Sequence, residues 1–420
     1  MENVWRDVEV RELCTDIVDC INKTAPLAEH ATPYKMIRTS NVRDGRVDTE
    51  NVRYVEKHTF ERWSRRLALK EGDVILTREA PLGDVGLLRD STNIFLGQRL
   101  VMYRADPSVC DNRFLMYSMM GPIVQAELTR LGSGATVEHL RVPDCERFTI
   151  PCPPLFVQKR IGAVLGAIDD MIENNRRRVA ILEQMAREIY TEWFVRYRFP
   201  GHESATFVDS PLGPIPSGWD AVNLNHVARI IRGRSYKSSE LVDEGGLPFV
   251  NLKCMKRGGG FRRDGLKSYS GVYTDDQVVR CGDIVMGVTD LTQDRTIIAK
   301  SALVPSLPQE IGIISLDVVK VLPLQNADRL WCFAVLRWSD FSDHVKETAS
   351  GATVLHLPIR ELEQQPILLP DSNIREAFAE VLAPLLDAMS TLEDQVDVLS
   401  QIRDLLLPKL VTGQIDVSSL

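Results

Sequence analysis

The longest hydrophobic pattern in the chain is a stripe with alternating spacings of four and three residues, and it occurs twice. The first copy runs from Ile161 to Trp193, and the second lies 217 residues further on, from Phe378 to Leu410. This spacing is typical of a coiled-coil seam. A single stripe would favour a helix packed on its own domain, but two matched stripes favour two long helices that pack against each other. The residues predicted to pair the helices are Ile161, Leu165, Ile168, Ile172, Asn175, Val179, Leu182, Ile189, Leu382, Leu385, Met389, Leu392, Val396, Leu399 and Leu406.

Helix-terminating residues flank both stripes. Prolines at 153–154 precede the first helix, and Pro200 with Gly201 is predicted to end it. Asn373 and Glu376 have the spacing of a capping box for the second helix, and Pro408 is predicted to end it.

Two residues disturb the pattern of the stripes. Pro384 is expected to kink the second helix or to divide it after its first turns. Asn175 is the polar residue on the first seam. It either lies buried, where it would fix the register or choice of partner, or it faces solvent.

Outside the stripes, the chain has short β-rich runs separated by Gly, Pro, Asn and Asp. Examples are residues 73–76, 98–103, 283–286 and 311–321. We therefore predict an α+β fold with two similar recognition domains, each built around a curved sheet, separated by two long antiparallel helices. The predicted boundaries are 1–152 for the first domain, 153–200 for its helix, 201–370 for the second domain, and 371–420 for the second helix and tail.

An internal repeat underlies this organisation. The segment Ser133–Val137 reads Ser-Gly-Ala-Thr-Val and recurs at Ser350–Val354, and Trp5 corresponds to Trp219 upstream. Two similar but not identical units imply an approximate two-fold symmetry within one chain. The repeated segment has two interpretations, a tight turn leading to the helix or a phosphate contact. The histidines after it, His139 and His356, are expected to be packing residues.

Composition limits the function classes. A length of 420 residues allows two to three domains, and a net charge of −8 argues against an indiscriminate nucleic-acid coat. No run is apolar enough to span a membrane, and the acidic N-terminus is unlike a secretory signal. The eight cysteines lack zinc spacing, so we expect reduced structural thiols in a cytoplasmic protein that holds no metal.

Basic residues nevertheless concentrate in the loops of the two heads. Nine Lys and Arg face four Asp and Glu between Arg232 and Lys267. Such loops are either solvated charged surface or a DNA-binding face, and their recurrence in both repeats favours DNA. The candidate DNA-binding residues are Arg38, Thr39, Asn41, Arg43, Arg46, Arg78, Glu79, Gln98, Arg99, Ser133, Thr136, Arg232, Arg234, Lys237, Lys253, Lys256, Arg257, Arg262, Arg263, Thr289, Ser350 and Thr353.

Motifs of the common catalytic classes are missing. The sequence has no P-loop, no Asp/Glu-x-Lys pair of a nuclease metal site, no dinucleotide-binding glycine pattern and no nucleophile elbow. These absences predict a binding protein without a catalytic centre.

The order of several blocks resembles the specificity subunits of type I restriction–modification enzymes. One block is Leu212–Trp219, and another runs from the first Ser-Gly-Ala-Thr through the prolines at 153–154 to Gln158 and Ile161. The sequence departs from the family where the second repeat has Arg375 in place of the glutamine.

The resemblance implies a sequence-specific DNA-binding subunit that is not itself an enzyme. Each head would bind half of a bipartite, asymmetric site in double-stranded DNA, and the helices would set the spacer. Two methyltransferase subunits, which bind S-adenosylmethionine, would dock on the helices, and a motor/nuclease subunit using ATP and Mg²⁺ would join for cleavage. A coiled-coil scaffold that binds other proteins and a stand-alone DNA-cleaving enzyme remain as alternatives.

Overall fold

The computed structural model of the protein describes residues 5–21, 23–132 and 139–417. The chain divides into two compact units. The first unit comprises residues 1–175 and 394–420, and the second comprises residues 176–393. Each unit therefore contains one head together with a part of each long helix.

The first unit is a mixed α+β head. Its helices are α1 (Lys57–Trp63), α2 (Asn112–Met120) and α3 (Pro122–Leu131). Its strands are β1 (Arg6–Glu9), β2 (Cys14–Asp19), β3 (Lys35–Ile37), β4 (Val42–Arg43), β5 (Gly45–Val47), β6 (Arg53–Tyr54), β7 (Val74–Arg78), β8 (Leu82–Leu87), β9 (Ile94–Leu96), β10 (Leu100–Ala105) and β11 (Thr149–Cys152).

Three sheets organise these strands. Six strands pair in the order β2-β10-β7-β8-β5-β4, three in the order β6-β3-β9, and β1 pairs with β11. Alternating apolar residues such as Val74 and Leu76 point into a core that also holds Tyr103, Phe114 and Phe148. The six-stranded sheet and α2 thus share one core.

The long helix α4 (Leu155–Tyr190) follows, and a short π-helical turn (Thr191–Val195) extends it. The second unit then adds α5 (Arg329–Trp338), α6 (Phe341–Val345) and α7 (Ile359–Gln364). Its strands are β12 (Phe207–Val208), β13 (Ile215–Pro216), β14 (Asp220–Asn223), β15 (Ala228–Arg232), β16 (Leu241–Val242), β17 (Leu247–Val250), β18 (Lys267–Tyr269), β19 (Val278–Arg280), β20 (Ile284–Gly287), β21 (Thr289–Asp290), β22 (Ser301–Leu303), β23 (Ile311–Ile314), β24 (Val318–Pro323), β25 (Leu355–His356) and β26 (Pro366–Leu369). The second long helix, α8, spans Ser372–Val411.

The second unit repeats the plan of the first. The order β15-β24-β20-β22 corresponds to β2-β10-β7-β8, and β17 pairs in parallel with β23 as β3 does with β9. The register repeats as well, since Val8 faces Ile150 on β11 and Val222 faces Ile367 on β26. The predicted α+β class with an internal repeat and two long helices is therefore confirmed.

Three details of the sequence interpretation were wrong. The run 311–321 is two strands in different sheets, because the amide of Val318 turns back to the carbonyl of Ser315. The second helix begins at Ser372, so Asn373 lies inside its first turn and does not cap it. It also continues past Pro408 to Val411.

Pro384 does not divide the second helix, because α8 is continuous over 40 residues. Proline removes one helical hydrogen bond and leaves a carbonyl without its donor. Pro384 is exposed, so water can bond to that carbonyl at little cost. Exposure thus explains why the helix tolerates this residue.

Candidate nucleic-acid interface

Several loops of the first unit converge through backbone and side-chain hydrogen bonds. The amide of Arg78 donates to the carbonyl of Arg99 at 2.8 Å, and the Thr39 hydroxyl donates to the carbonyl of Ala80 at 3.1 Å. These bonds join loops that are far apart in the sequence. We call this group the first loop cluster, which consists of residues 38–41, 78–81, 97–99 and 139–140.

The second unit has an equivalent group. The amide of Arg234 donates to the carbonyl of Ile314 at 2.7 Å, and the amide of Leu316 donates back to Arg234 at 2.8 Å. The amide of Val288 donates to the carbonyl of Asp317 at 3.0 Å. This second loop cluster consists of residues 233–235, 251–254, 288–290, 315–317 and 355–357.

The two clusters share one backbone framework. Glu79 forms an antiparallel bridge with His139 in the first unit. At the equivalent positions of the second unit, Thr289 pairs with His356. Both histidines therefore close their cluster through the backbone.

The repeated Ser-Gly-Ala-Thr segment adjoins this bridge in the second unit. Ser350 and His356 exchange backbone hydrogen bonds of 3.1 and 2.9 Å, and Ser350 and Thr353 are both exposed. The geometry fits a tight turn that leaves the Thr353 hydroxyl open to a ligand. Ser133 and Thr136, the candidates in the first copy, lie outside the described residues.

Half-buried arginines line both clusters. The Nε atoms of Arg38, Arg78 and Arg234 are buried and have no hydrogen-bond partner within the described ranges. Arg78 is oriented by its Nη1, which donates to the carbonyl of Leu140 at 2.8 Å. Because a buried donor without a partner is costly, these guanidinium groups are suited to an anionic ligand such as a phosphate.

An ion pair marks the tip of the first cluster. Nη2 of Arg99 lies 3.3 Å from Oε1 of Glu79, and the Arg99 side chain is 49% exposed. Arg99 also has a left-handed backbone with φ of 69°, a costly conformation for a residue other than glycine. The neighbouring Gln98 accepts a weak hydrogen bond of 3.4 Å from Thr24. Polar side chains of both donor and acceptor type are thus presented together.

Two of the candidate residues support their loops and do not face a ligand. Asn41 is 4% exposed, accepts from the amide of Arg38 at 2.9 Å and donates to the carbonyl of Asn51 at 2.8 Å. Thr289 is 3% exposed and donates to Oδ1 of Asp317 at 3.0 Å. A buried side chain cannot reach a base, so both assignments are corrected to structural roles.

Other predicted cations contact carboxylates of their own unit. These pairs are Arg46 with Glu173 on α4, Lys256 with Glu393 on α8 at 3.4 Å, and Arg262 with Asp264 at 2.6 Å. The loop that carries Lys256 is further held by Arg337, which donates to the carbonyl of Gly258 and to Glu183. The glycine-rich loop at 256–260 is therefore linked by polar contacts to both long helices, directly to α8 and through Arg337 to α4.

The remaining predicted cations differ in accessibility. Arg43 is exposed and approaches the adjacent Asp44 at 3.7 Å, while Arg263 is half-buried. The other four are exposed and form no ion pair with described residues; they are Arg232, Lys237, Lys253 and Arg257. These four can neutralise phosphates without first breaking an internal pair.

Polar contacts connect the long helices inside the first unit. Nδ2 of Asn175 donates to Oε1 of Gln395 at 3.0 Å, so the asparagine is buried in the helix pair. Nη1 of Arg403 donates to Oδ1 of Asp169 at 3.1 Å, and the Tyr117 hydroxyl donates to Oδ2 of Asp169 at 2.6 Å. The two helices are antiparallel in this unit, because the residue numbers of the contacts rise along α4 and fall along α8.

Burial shapes the ionisation of this network. Burial raises the pKa of Tyr117 well above its ordinary value, and the adjacent Asp169 raises it further. For Arg403, burial alone would lower the pKa, but Asp169 and Asp404 more than offset it, so the pKa is raised. The guanidinium therefore stays charged between the helices.

Aromatic packing takes the place of these polar contacts in the second unit. Phe378 on α8 is fully buried and contacts Tyr190, Trp193 and Phe194, with ring centroids 6.4, 5.6 and 4.8 Å apart. The seam residues predicted from the sequence, polar Asn175 included, are all buried or half-buried in the structure.

The departure from the family pattern at Arg375 has a structural counterpart. Gln158 accepts from the amide of Asp111 at 3.0 Å and donates to a proline carbonyl at residue 153. Arg375, 217 residues later, donates to Asp328 at 2.7 Å and to the carbonyl of Pro370. Gln158 and Arg375 therefore contact equivalent positions of their units, residues 111 and 153 in the first and residues 328 and 370 in the second.

Sequence reasoning missed several residues of these sites. Leu316 and Asp317 were hidden inside a predicted strand, although the repeat aligns them with the candidates Gln98 and Arg99. Asp169 was not recognised as the partner of Arg403, since pairing between distant helices leaves no local signal.

All eight cysteines lie in the described residues and are free. Burial raises the pKa of Cys14 to about 12 and that of Cys254 to about 11, which keeps both thiols protonated. Across the described part of the chain, no group of three His, Cys, Asp or Glu is placed to hold a metal ion. Within the same ranges, no helix is long and apolar enough to cross a membrane.

Comparison with known proteins gives a consistent result. Residues 5–184 match the model of the type I restriction modification DNA specificity domain. The chain is 25% identical to the type I restriction enzyme MjaIX specificity subunit of Methanocaldococcus jannaschii, over 89% of this chain and 86% of that one. It is 23% identical to the putative MjaX specificity subunit of the same organism, over 98% and 95% of the two chains.

A solved structure shares the fold. The S subunit of a type I restriction-modification system from M. genitalium superposes with a TM-score of 0.58 at 16% identity, covering 97% of this chain and 96% of that one. The duplicated heads, the paired helices and the matched domain agree. Residues 5–184 thus match a type I restriction modification DNA specificity domain, and the chain as a whole is similar to type I restriction–modification specificity subunits.

Proposed function

We propose that this chain is the DNA-recognition subunit of a type I restriction–modification complex. Each unit would bind one half of a bipartite, asymmetric site in double-stranded DNA. The observation that carries the proposal is the pair of loop clusters, which share a backbone framework but present different side chains. A shared framework accounts for similar docking, and different side chains account for different half-sites.

The charge distribution supports binding to DNA despite the net charge of −8. Half-buried arginines with open N–H groups lie in both clusters, and exposed cations such as Lys253 and Arg257 lie in the second unit. Phosphate contacts of this kind position a protein on DNA, whereas base contacts provide sequence specificity. The loops offer both kinds of group.

The long helices are suited to fix the distance between the two half-sites. A continuous helix of 36 residues such as α4 is about 54 Å long at ~1.5 Å per residue. Both long helices contribute residues to both units. A rigid spacer would convert two short recognition events into one long site with an unread segment between its halves.

Two equivalent exposed apolar patches support docking of two methyltransferase subunits. Ile181 and Met185 on α4 are 58% and 46% exposed. Their equivalents on α8, Val398 and Ile402, are 54% and 41% exposed. Equivalent patches suit two copies of one partner. In this proposal the partners bind S-adenosylmethionine, a motor/nuclease subunit uses ATP and Mg²⁺, this chain has no catalytic role, and the complex acts in the cytoplasm.

The test is methylation sequencing of cells that express the partner subunits with or without this chain. We expect methylated adenines in a bipartite sequence only when the chain is present. A second variant carries seven added helix-forming residues after Asn175 and seven after Leu392. Seven residues lengthen a helix by about 10 Å, which corresponds to about three base pairs at ~3.4 Å each. The unread spacer should become longer while both half-sites stay the same.

A matched control carries seven added residues after Gly245, which lies in an exposed turn with open space around it. This insertion should leave the spacer unchanged. If the variant with insertions in both long helices still methylates DNA but leaves the length of the DNA spacer unchanged, the helices do not set the distance between the half-sites. Methylation that is independent of the chain would refute the proposed function itself.

A further inference from the structure

One turn of each loop cluster presents opposite hydrogen-bond chemistry at the same place in the framework. The turn between β9 and β10 ends in Gln98 and Arg99, and the turn between β23 and β24 ends in Leu316 and Asp317. The amide of Arg78 donates to the carbonyl of Arg99 at 2.8 Å, as that of Val288 does to Asp317 at 3.0 Å. The two turns are therefore structurally equivalent.

Each turn residue is oriented by the same neighbouring position. Glu79 holds Arg99 through an ion pair of 3.3 Å, and Thr289 holds Asp317 through a hydrogen bond of 3.0 Å. Glu79 and Thr289 form equivalent backbone pairs with His139 and His356, the matching histidines of the two repeats. A donor oriented by an acceptor in one unit is thus replaced by an acceptor oriented by a donor in the other.

Both side chains keep free hydrogen-bonding capacity. Arg99 is 49% exposed and uses Nη2 for its ion pair, which leaves Nε and Nη1 available. Asp317 is half-buried and uses Oδ1, which leaves Oδ2 without a partner in the described part of the chain. Leu316, next to Asp317, is 51% exposed. The first turn therefore presents donors, and the second presents an acceptor beside an apolar side chain.

A carboxylate in a DNA-binding loop has a restricted set of partners. Phosphates repel it, so favourable contact requires an amino group on a base edge, and the N4 amino group of cytosine is the usual partner of Asp. Arginine prefers guanine, whose O6 and N7 both accept. Half-buried arginines with open Nε atoms, Arg78 and Arg234, flank the two turns and can anchor phosphates beside them.

We propose that Arg99 recognises a guanine in the first half-site and that Asp317 recognises a cytosine in the second. The inference rests on the proposed function and adds the bases that two equivalent turns select. Because the framework is shared and the chemistry is exchanged at one pair of positions, this pair makes the two half-sites different.

The experiment uses the assembled complex of this chain with its methyltransferase partner and DNA in which each base pair of the target is replaced in turn. In Arg99→Gln, discrimination should fall by about tenfold to hundredfold at one guanine of the first half-site, with the second unaffected. In Asp317→Asn, the loss should fall on one cytosine of the second half-site, with preference moving towards adenine, which pairs with Asn. Arg257→Ala is the matched control, because an exposed cation should affect binding to all sequences alike.

Retained methylation of the best remaining sequence shows that each variant is folded and assembled. If Arg99→Gln or Asp317→Asn weakens all sequences equally, or changes the opposite half-site, the assignment of these turns is wrong while the proposed function stands. If the wild-type complex has no preferred sequence at all, both the assignment and the proposed function fail.

Discussion

The buried ion pair between the long helices of the first unit leads to a quantitative prediction. Arg403 and Asp169 are 8% and 7% exposed, and their charged atoms lie 3.1 Å apart. At this distance, with an effective dielectric constant of about 20, the gross Coulomb attraction is about 5 kcal/mol. Arg403→Met keeps the apolar stem but leaves the Asp169 carboxylate buried, with the Tyr117 hydroxyl as its one remaining hydrogen-bond partner among the described residues. Breaking a buried pair on one side costs roughly 3–5 kcal/mol, so we expect a loss of that size in the free energy of unfolding.

The double variant Asp169→Asn with Arg403→Met separates charge from packing. Asparagine can still accept from Tyr117 but carries no charge, so the double variant should recover most of the loss. The assay is urea unfolding of the full chain, with hydrogen exchange of the amides in α2 reporting on the first unit. A single variant within about 1 kcal/mol of wild type would refute the reasoning, since that is the typical value of a surface pair. A double variant no better than the single one would show that the loss comes from packing and not from the uncompensated charge.

Two further predictions concern aromatic residues. Phe378→Ala should destabilise the second unit by about 3–5 kcal/mol, because the fully buried ring packs against Tyr190 and Phe194; Phe378→Leu should lose less, and equal unfolding midpoints in urea would contradict the assigned role. Burial, and then Asp169, raises the pKa of Tyr117 in the folded protein. The neutral side chain therefore contributes its full stabilisation below the ordinary tyrosine pKa of about 10. That contribution is lost as the pH rises above this value, because the unfolded chain then loses the proton more readily than the folded one. The free energy of unfolding should fall above about pH 10, by up to ~1.4 kcal/mol per pH unit for this group, and Tyr117→Phe should reduce that slope; an unchanged slope would show that Tyr117 does not contribute.

The parts of the structure that repeat or alternate regularly could be predicted from the sequence. The four-three spacing gave the two long helices and the buried side of each, because helix geometry converts such spacing directly into one face. The short β-rich runs 73–76 and 283–286 predicted strands, and the structure has β7 and β20 there. Helix ends were less predictable, since Pro408 lies within a turn of the end of α8 and was tolerated there.

Contacts between distant segments could not be predicted. In the run 311–321, Ser315, Asp317 and Lys320 are interspersed with apolar residues and no proline occurs, a pattern that also fits a single strand, so the turn at Ser315 that presents Asp317 was not predicted. Asn41 and Thr289 looked like exposed recognition residues because their types suit DNA, but burial depends on neighbours from other loops. Residue type alone therefore did not predict the position of these side chains.

Arg375 shows how the repeat accommodates a change of chemistry. Replacing the Gln158 of the first unit by arginine at the equivalent position would bury a charge, and a buried charge needs a partner. The second unit supplies one in Asp328, the equivalent of Asp111, whose side chain in the first unit instead caps α2. The equivalent contact between the long helix and the head is thus made by a neutral amide in the first unit and by an ion pair in the second. Glu79 with Arg99 and Thr289 with Asp317 follow the same rule at the loops. What the two units share is the placement of interacting positions, so paired substitutions can change the chemistry presented to DNA while the framework stays intact.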